Sequence, residues 1–197
     1  GDQPATPRFP WRTAIVAMRT TQARVRRAIA AVSAGRPVVV TDEIARDGHL
    51  VFAADAATPK LMAFTVRHTS GYVRAALPVP ECGRLNLPPM CQRGGGRSGA
   101  AAHRVSVDVT GTGTGISASD RALTIAALAA SESTASDFRR PGHVVPVGSA
   151  PDGVLAPSRG AAEAAVDLAG MAGRRRAGVF CEIVSRLRPT ATARGPE

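Results

Sequence analysis

Apolar residues along the chain change their spacing from segment to segment, and the spacing predicts the elements. Between Thr20 and Gly35, Val25, Ile29 and Val32 recur at intervals of four and three, one face of a helix, and Gly35 followed by Pro37 stops it. Two apolar runs, "PVVV" (37–40) and "HLVFAAD" (49–55), predict strands around an acidic loop, "TDEIARDGHL" (41–50). Thr58-Pro59 is a cap and first-turn pair that opens a helix ending at Gly71, with Leu61, Met62, Phe64 and Val66 as its buried candidates. "YVRAALP" (72–78) predicts a strand, "LNLPPM" (85–90) a rigid turn, and "CQRGGGRSGAAA" (91–102) a glycine-rich loop. No Gly-Lys-Ser/Thr follows that loop, so it is not a phosphate loop of the Walker type.

The second half repeats the alternation. "RVSVDV" (104–109) reads as a strand, and Ser117 caps a helix running to Ala130. "RRPGHVVPVG" (139–148) is a turn entering a strand. A helix over 159–173 and a final strand over 177–185 complete the pattern, with Arg174 to Arg176 read as a solvated turn between them. Strands and helices mixed in this way predict a single α+β domain, a mixed sheet with surrounding helices. Its expected limits are 21–186, between tails at 1–20 and 187–197.

Composition narrows the chemistry. The chain has 197 residues, enough for one real core. Aromatics are only 4%, so that core must be built from Ala, Val, Leu and Ile. The net charge of +10 is almost wholly arginine, since Lys60 is the only lysine; a GC-rich genome accounts for part of that excess. With few aromatics to stack bases, and arginines gathered mainly near the ends, the expectation is no nucleic-acid partner. Cys82, Cys91 and Cys181 make an odd set without a CxxC pair, which points to reduced thiols and a cytoplasmic protein. No apolar run approaches a membrane span, and no partner membrane is expected.

Several segments, in order, carry a resemblance: "AIAAVSAGRPVVV", "LVFAAD", "MAFTVRHTSG", "LNLPPM", "TGISASDRALTI", "RPGHVVPV", "EAAVDLAGMAG" and "AGVFCEIV". From about Arg27 to Ser185 the chain resembles 3,4-dihydroxy-2-butanone 4-phosphate synthase of the riboflavin pathway. The resemblance implies an α+β homodimer with its sites near the subunit interface. It also implies a magnesium-dependent conversion of ribulose 5-phosphate to 3,4-dihydroxy-2-butanone 4-phosphate and formate. Some relatives carry a GTP cyclohydrolase II domain, for which this chain is expected to be too short.

Carried over residue by residue, the resemblance gives a mixed site. Arg140 and His143 of the intact "RPGH" match an anion-binding arginine and a metal-binding histidine, and Glu163 matches a catalytic glutamate. Residues 161 and 162 beside it are alanines where the family has His and Thr. Thr114 lies in the segment matching the family's Thr-Thr-Gly-Ile-Ser, and the family's cysteine after His-Thr-Ser-Gly is replaced near Arg74. Aligning the acidic loop from Leu50 without gaps puts Ile44 where the family has arginine and Ala45 where it has a metal-binding glutamate. His49 then takes the place of a substrate-contacting aspartate, and the acidic run survives only as Asp42 and Glu43.

A lone imidazole is a poor magnesium site, and an alanine transfers no protons. The first expectation is therefore a diverged enzyme of a specialised biosynthetic pathway, acting on a less polar small molecule without a metal. His143, Glu163 and Asp42 would be its catalytic groups, and Arg140, His49, Ile44 and Thr114 its substrate contacts. Two alternatives stand beside it. One is the family's own reaction with Mg2+, in which Asp42, Glu43 or Asp47 replaces the lost glutamate. The other is a non-catalytic binding or scaffold protein, in which the Arg-Pro-Gly-His turn persists for structural reasons and Glu163 pairs with an arginine. His49 and His143 on a softer metal such as zinc is the less favoured role for that pair, and His68 and His103 read as ordinary polar residues.

Overall fold

The computed structural model describes residues 21–42, 47–91, 103–155 and 159–184. Along the chain come α1 (Thr21–Ser33), β1 (Val38–Asp42), β2 (Asp47–Ala53), α2 (Pro59–His68), β3 (Arg74–Pro78) and α3 (Val79–Arg84). There follow β4 (Val107–Val109), α4 (Ala118–Ala129), β5 (Phe138–Ser149), α5 (Ala161–Met171) and β6 (Gly178–Glu182). The strands form one sheet in the order β1-β2-β6-β3-β5-β4. Only β3 and β5 pair in parallel, so the sheet is mixed, as the α+β expectation has it.

Strand alternation divides the core into two faces. Phe52, Val73, Ala75, Leu77, Val144 and Val179 point to one face and pack with Met62 of α2 and Ile125 and Leu128 of α4. Val51, Ala76, Val147 and Phe180 point to the other and meet Ala162, Ala165 and Val166 of α5, with Ile29 of α1 at the margin. The low aromatic content shows here as close packing of small residues. A Cβ on Gly178 would lie 2.7 Å from both the Cβ and the carbonyl oxygen of Ala165, so glycine lets α5 settle onto β6.

The predicted helix starts hold: the Thr58 side chain accepts from the Leu61 amide, and Ser117 accepts from that of Asp120. Differences lie where periodicity is short. Residues 79–84 form α3, too brief for a helical repeat to register, with proline in its first turn. Val25 is exposed and only Val32 of α1 is buried, because α1 touches the α5 layer with its C-terminal half. The expected strand over 104–109 is regular only at Val107–Val109; His103 and Arg104 make isolated bridges. The arginine turn is clamped rather than merely solvated. Arg174 donates to the Val32 and Ser33 carbonyls and pairs with Asp55 at 3.1 Å, while Arg176 pairs with Asp167 at 3.1 Å.

Candidate active site

His143 stands on β5 with its side chain about 40% exposed. Val144 points into the α2/α4 layer, so alternation turns His143 to the opposite face. Across the β4–β5 ladder, Asp108 is almost fully buried and holds His143 twice. Its Oδ1 accepts the His143 main-chain N–H at 2.8 Å, and its Oδ2 lies 2.8 Å from Nδ1. A carboxylate only accepts, so Nδ1–H donates and the lone pair sits on Nε2, the outer nitrogen. That is the orientation a histidine takes as a metal ligand or a base.

Two glycines make this arrangement possible. A Cβ on Gly142 would fall 2.0 Å from the Val107 carbonyl carbon, and one on Gly115 would fall 2.1 Å from Asp108 Oδ2. Gly115 also has φ +88, in the left-handed region. Its amide is held by Asp120 Oδ2 at 3.0 Å, in the first turn of α4. Asp108 was not singled out by sequence. The signal available was faint: Asp108 is an acid at a polar position of the alternating "VSVDV", where a solvent-facing residue is equally expected.

His49 is buried on β2, with its ring centroid 6.0 Å from that of Phe180. Its Nδ1 is 3.7 Å from Asp47 Oδ1, an atom that is itself buried without a hydrogen-bond partner. Burial lowers the His49 pKa below its ordinary 6.5, against the opposing pull of Asp47, and nearby Arg74 lowers it further. Asp42 pairs in register with Asp47 where the hairpin closes. Ile44, Ala45 and Glu43 lie outside the described residues. Thr114 is exposed on the turn leading into α4, next to Gly113, whose carbonyl accepts from Arg139 at 3.3 Å.

Two expected roles meet a different geometry. Arg140, expected to grip a substrate anion, spends its guanidinium on the protein. It donates to the carbonyls of Ala135, Phe138 and Leu85, and its Nε is buried with no partner. Three carbonyl oxygens around one guanidinium fix the loop that precedes the cis Arg140–Pro141 bond. Glu163, expected to act with His143, is 1% exposed in the first turn of α5 and accepts the Ala150 amide at 3.0 Å. Ala150 follows the far end of β5, roughly 20 Å along the strand from His143 at about 3.3 Å per residue. His143 and Glu163 therefore form no acid/base pair within one subunit. Nor does Glu163 pair with an arginine among the described residues.

A cleft of about 700 Å³ opens at that far end of the sheet, lined among others by Asp55, Pro78, Glu81 and Arg174 to Arg176. It contains none of the expected site residues, and its arginines are tied to Asp55, Asp167 and the Ala129 carbonyl.

A mixed α+β sheet carrying a carboxylate-oriented histidine on an inner strand is compatible with several protein classes. Comparison with known proteins says which. The family model for 3,4-dihydroxy-2-butanone 4-phosphate synthase matches residues 26–197. The chain is 52% identical over 176 residues to the riboflavin biosynthesis protein RibBA of Rhodococcus erythropolis, covering 88% of this chain and 41% of that protein. It is 50% identical over 169 residues to RibBA of Salinispora arenicola, covering 84% and 40%. The chain thus spans about two fifths of the length of the curated relatives it matches. A crystal structure of 3,4-dihydroxy-2-butanone 4-phosphate synthase in complex with two magnesium ions superposes with a TM-score of 0.77 at 38% identity, covering 86% of this chain and 83% of the other. The chain belongs to the 3,4-dihydroxy-2-butanone 4-phosphate synthase family, a family of lyase-type enzymes.

These relatives correct the first expectation from sequence. Proteins about half identical over most of the chain are named for riboflavin biosynthesis, which contradicts a re-tooled enzyme of specialised metabolism. That expectation rested on Ile44 and Ala45, which lie outside the described residues, and it weighed two positions against agreement along most of the chain. On either side, β1 and β2 keep their register up to Asp42 and Asp47.

The donor set bears on the family's metal. His143 presents its outer Nε2 lone pair, and Asp47 Oδ1 is a buried carboxylate oxygen with no hydrogen-bond partner. No group of three candidate ligands stands together among the described residues. Magnesium takes few protein ligands and completes its shell with water and substrate oxygens, but β2 and β5 are three strands apart, roughly 14 Å at about 4.8 Å per strand, so Asp47 and His143 of one subunit do not share an ion. Among the described residues, no helix is long and apolar enough to cross a membrane.

Proposed function

We propose that the chain performs the family's own reaction, converting ribulose 5-phosphate to 3,4-dihydroxy-2-butanone 4-phosphate and formate. The observation that carries this reading is the His143–Asp108 pair. A buried carboxylate, locked by two hydrogen bonds and two glycines that leave no room for a side chain, serves to aim one imidazole nitrogen outward. An imidazole fixed in this way is suited to metal binding or proton transfer.

His143 would hold Mg2+, and a carboxylate from Asp42, Glu43 or Asp47 would reach the ion only across the proposed subunit interface. The ion, when bound, supplies a Lewis acid for the substrate's oxygens. Asp108 keeps the His143 lone pair on Nε2, and the buried surroundings of His49 keep it neutral beside the site. Glu163 ties the exit of β5 to α5 and so fixes the layer against which the site face packs. The protein would work in the cytoplasm as a homodimer with its sites near the subunit interface, taking a small-molecule substrate and no nucleic acid.

The test is formate release from ribulose 5-phosphate by the purified chain. The expected result is turnover that needs Mg2+, stops with EDTA and returns when magnesium is restored. A folded protein that binds Mg2+ yet releases no formate would overturn the proposal.

A further inference from the structure

The β4–β5 ladder breaks at the site. Val107 pairs with Val144, but the next residue, Asp108, pairs with Arg139, so residues 140–143 bulge out of register. Ladder hydrogen bonds do not aim a bulged residue. His143 is aimed instead by the Asp108 carboxylate, through its main-chain amide and its ring. Whatever holds that carboxylate in place decides where the outer nitrogen points.

Helix α4 grips the chain on both sides of Asp108. Thr124 Oγ1 accepts the N–H of Val109, the residue after Asp108, at 3.0 Å and donates to the Asp120 carbonyl at 3.0 Å. Asp120 Oδ2 accepts the Gly115 N–H at 3.0 Å. Gly115 lies directly against Asp108, since a Cβ there would fall 2.1 Å from Oδ2, the oxygen that faces the His143 ring. Helix formation does not account for the Asp120 contact. The cap of α4 is Ser117, whose hydroxyl already accepts the Asp120 amide. An acid at this position of a helix ordinarily closes a capping box on the N–H of the cap residue. Asp120 reaches past the cap to Gly115.

We infer that Asp120 is a positioning residue for His143, acting through Gly115 and Asp108. Held by Asp120, Gly115 is the wall that keeps Asp108 Oδ2 on Nδ1. Without that hold the wall retreats, the carboxylate swings, and the ring proton is free to move to Nε2. The outward lone pair is then lost for part of the time. The fall in activity that follows rests on the proposed reaction; the position of the ring proton does not.

The experiment compares the full chain, labelled with nitrogen-15 at histidine, with Asp120→Ala and Asp120→Asn. NMR at about pH 8, where histidine rings are neutral, reads which ring nitrogen of His143 carries the proton. His143→Gln identifies its signals, and formate release from ribulose 5-phosphate is measured alongside. Wild type is expected to carry the proton on Nδ1. Asp120→Ala should move roughly a tenth of it or more to Nε2 and lower kcat/KM about tenfold. Asp120→Asn keeps an oxygen for the Gly115 N–H and should restore both. Thr58→Ala, which removes the cap of α2, should lower the melting temperature and leave the ring proton in place. If Asp120→Ala does not fold, Asp120→Ser, whose side chain is too short to reach Gly115, is read in the same way. A folded alanine or serine variant with the wild-type ring proton overturns the assignment. So does a wild-type ring protonated on Nε2, an asparagine variant that restores nothing, or a displaced proton with kcat/KM unchanged. A displaced ring proton in a chain whose wild type releases no formate leaves the assignment standing and removes the proposed reaction instead.

Discussion

Asp108 holds His143 by two atoms of one carboxylate: Oδ1 takes the main-chain amide and Oδ2 the ring Nδ1, both at 2.8 Å. Asp108→Asn keeps the shape and breaks the logic. An amide has one acceptor and one donor group, so it cannot accept from both N–H groups. If its oxygen keeps the main-chain amide, its NH2 faces Nδ1 and drives the ring proton to Nε2, which removes the outward lone pair. The variant should fold and lose about 10- to 100-fold in activity or Mg2+ affinity. Formate-release kinetics with a magnesium titration check this; activity within twofold of wild type would show that the pair is only structural.

Gly142→Ala and Gly115→Ala separate packing from orientation. At 142 the added methyl meets β4 main chain at 2.0 Å, which neither strand can yield without breaking the ladder. A loss of about 3 kcal/mol or more, or failure to fold, is expected by chemical denaturation. At 115 the methyl meets the Asp108 carboxylate, which can swing, and φ +88 adds a strain of roughly 1 kcal/mol or more. Gly115→Ala should remain folded and lose activity out of proportion to its lost stability.

Much of this was legible in sequence, and the limits have physical causes. The helices announced by Thr58 and Ser117 carry their own capping chemistry within three residues, so local sequence decides them. "RPGH" was legible as a site, but the use of Arg140 was not. Its acceptors at Leu85 and Ala135 are contributed by the fold and not by the motif. The distance between His143 and Glu163 was hidden for the same reason: it depends on β5 running on past Val147 to Ser149 before the chain turns back. Arg74 shows in sequence only as a charge inside an apolar strand. Its stacking on Phe180 and Tyr72 appears only when the fold brings those rings to it.

His49 makes stability depend on pH. Its folded pKa lies below 6.5, chiefly because burial disfavours the charged ring. Between the folded value and 6.5 the unfolded chain binds a proton that the folded chain does not, so stability rises with pH through that window. Above about 6.5 both states are neutral and this contribution is constant. Melting temperatures of wild type and His49→Gln, taken from pH 5 to 8, should diverge in slope below 6.5 and run parallel above it. The difference between the two curves isolates His49 from the other histidines. Parallel curves throughout would mean that folding leaves the His49 pKa unchanged, and divergence above 6.5 would mean that the folded ring keeps its proton.

The three cysteines should separate cleanly by reactivity. Cys181 is buried in β6 and its thiol donates to the Tyr72 carbonyl at 3.4 Å; burial pushes its pKa up to about 11. Burial raises the pKa of Cys82 as well. Cys91 is exposed, and all three are free thiols. Thiolate is the reacting species, so burial suppresses both access and the ionised fraction at the first two. A colorimetric thiol reagent at pH 8 should find one reactive group per chain in the native protein and all three in denaturant. Cys91→Ser should abolish the native signal. A native count of two or more would mean that the core layer holding Cys82 and Cys181 opens on the timescale of the assay.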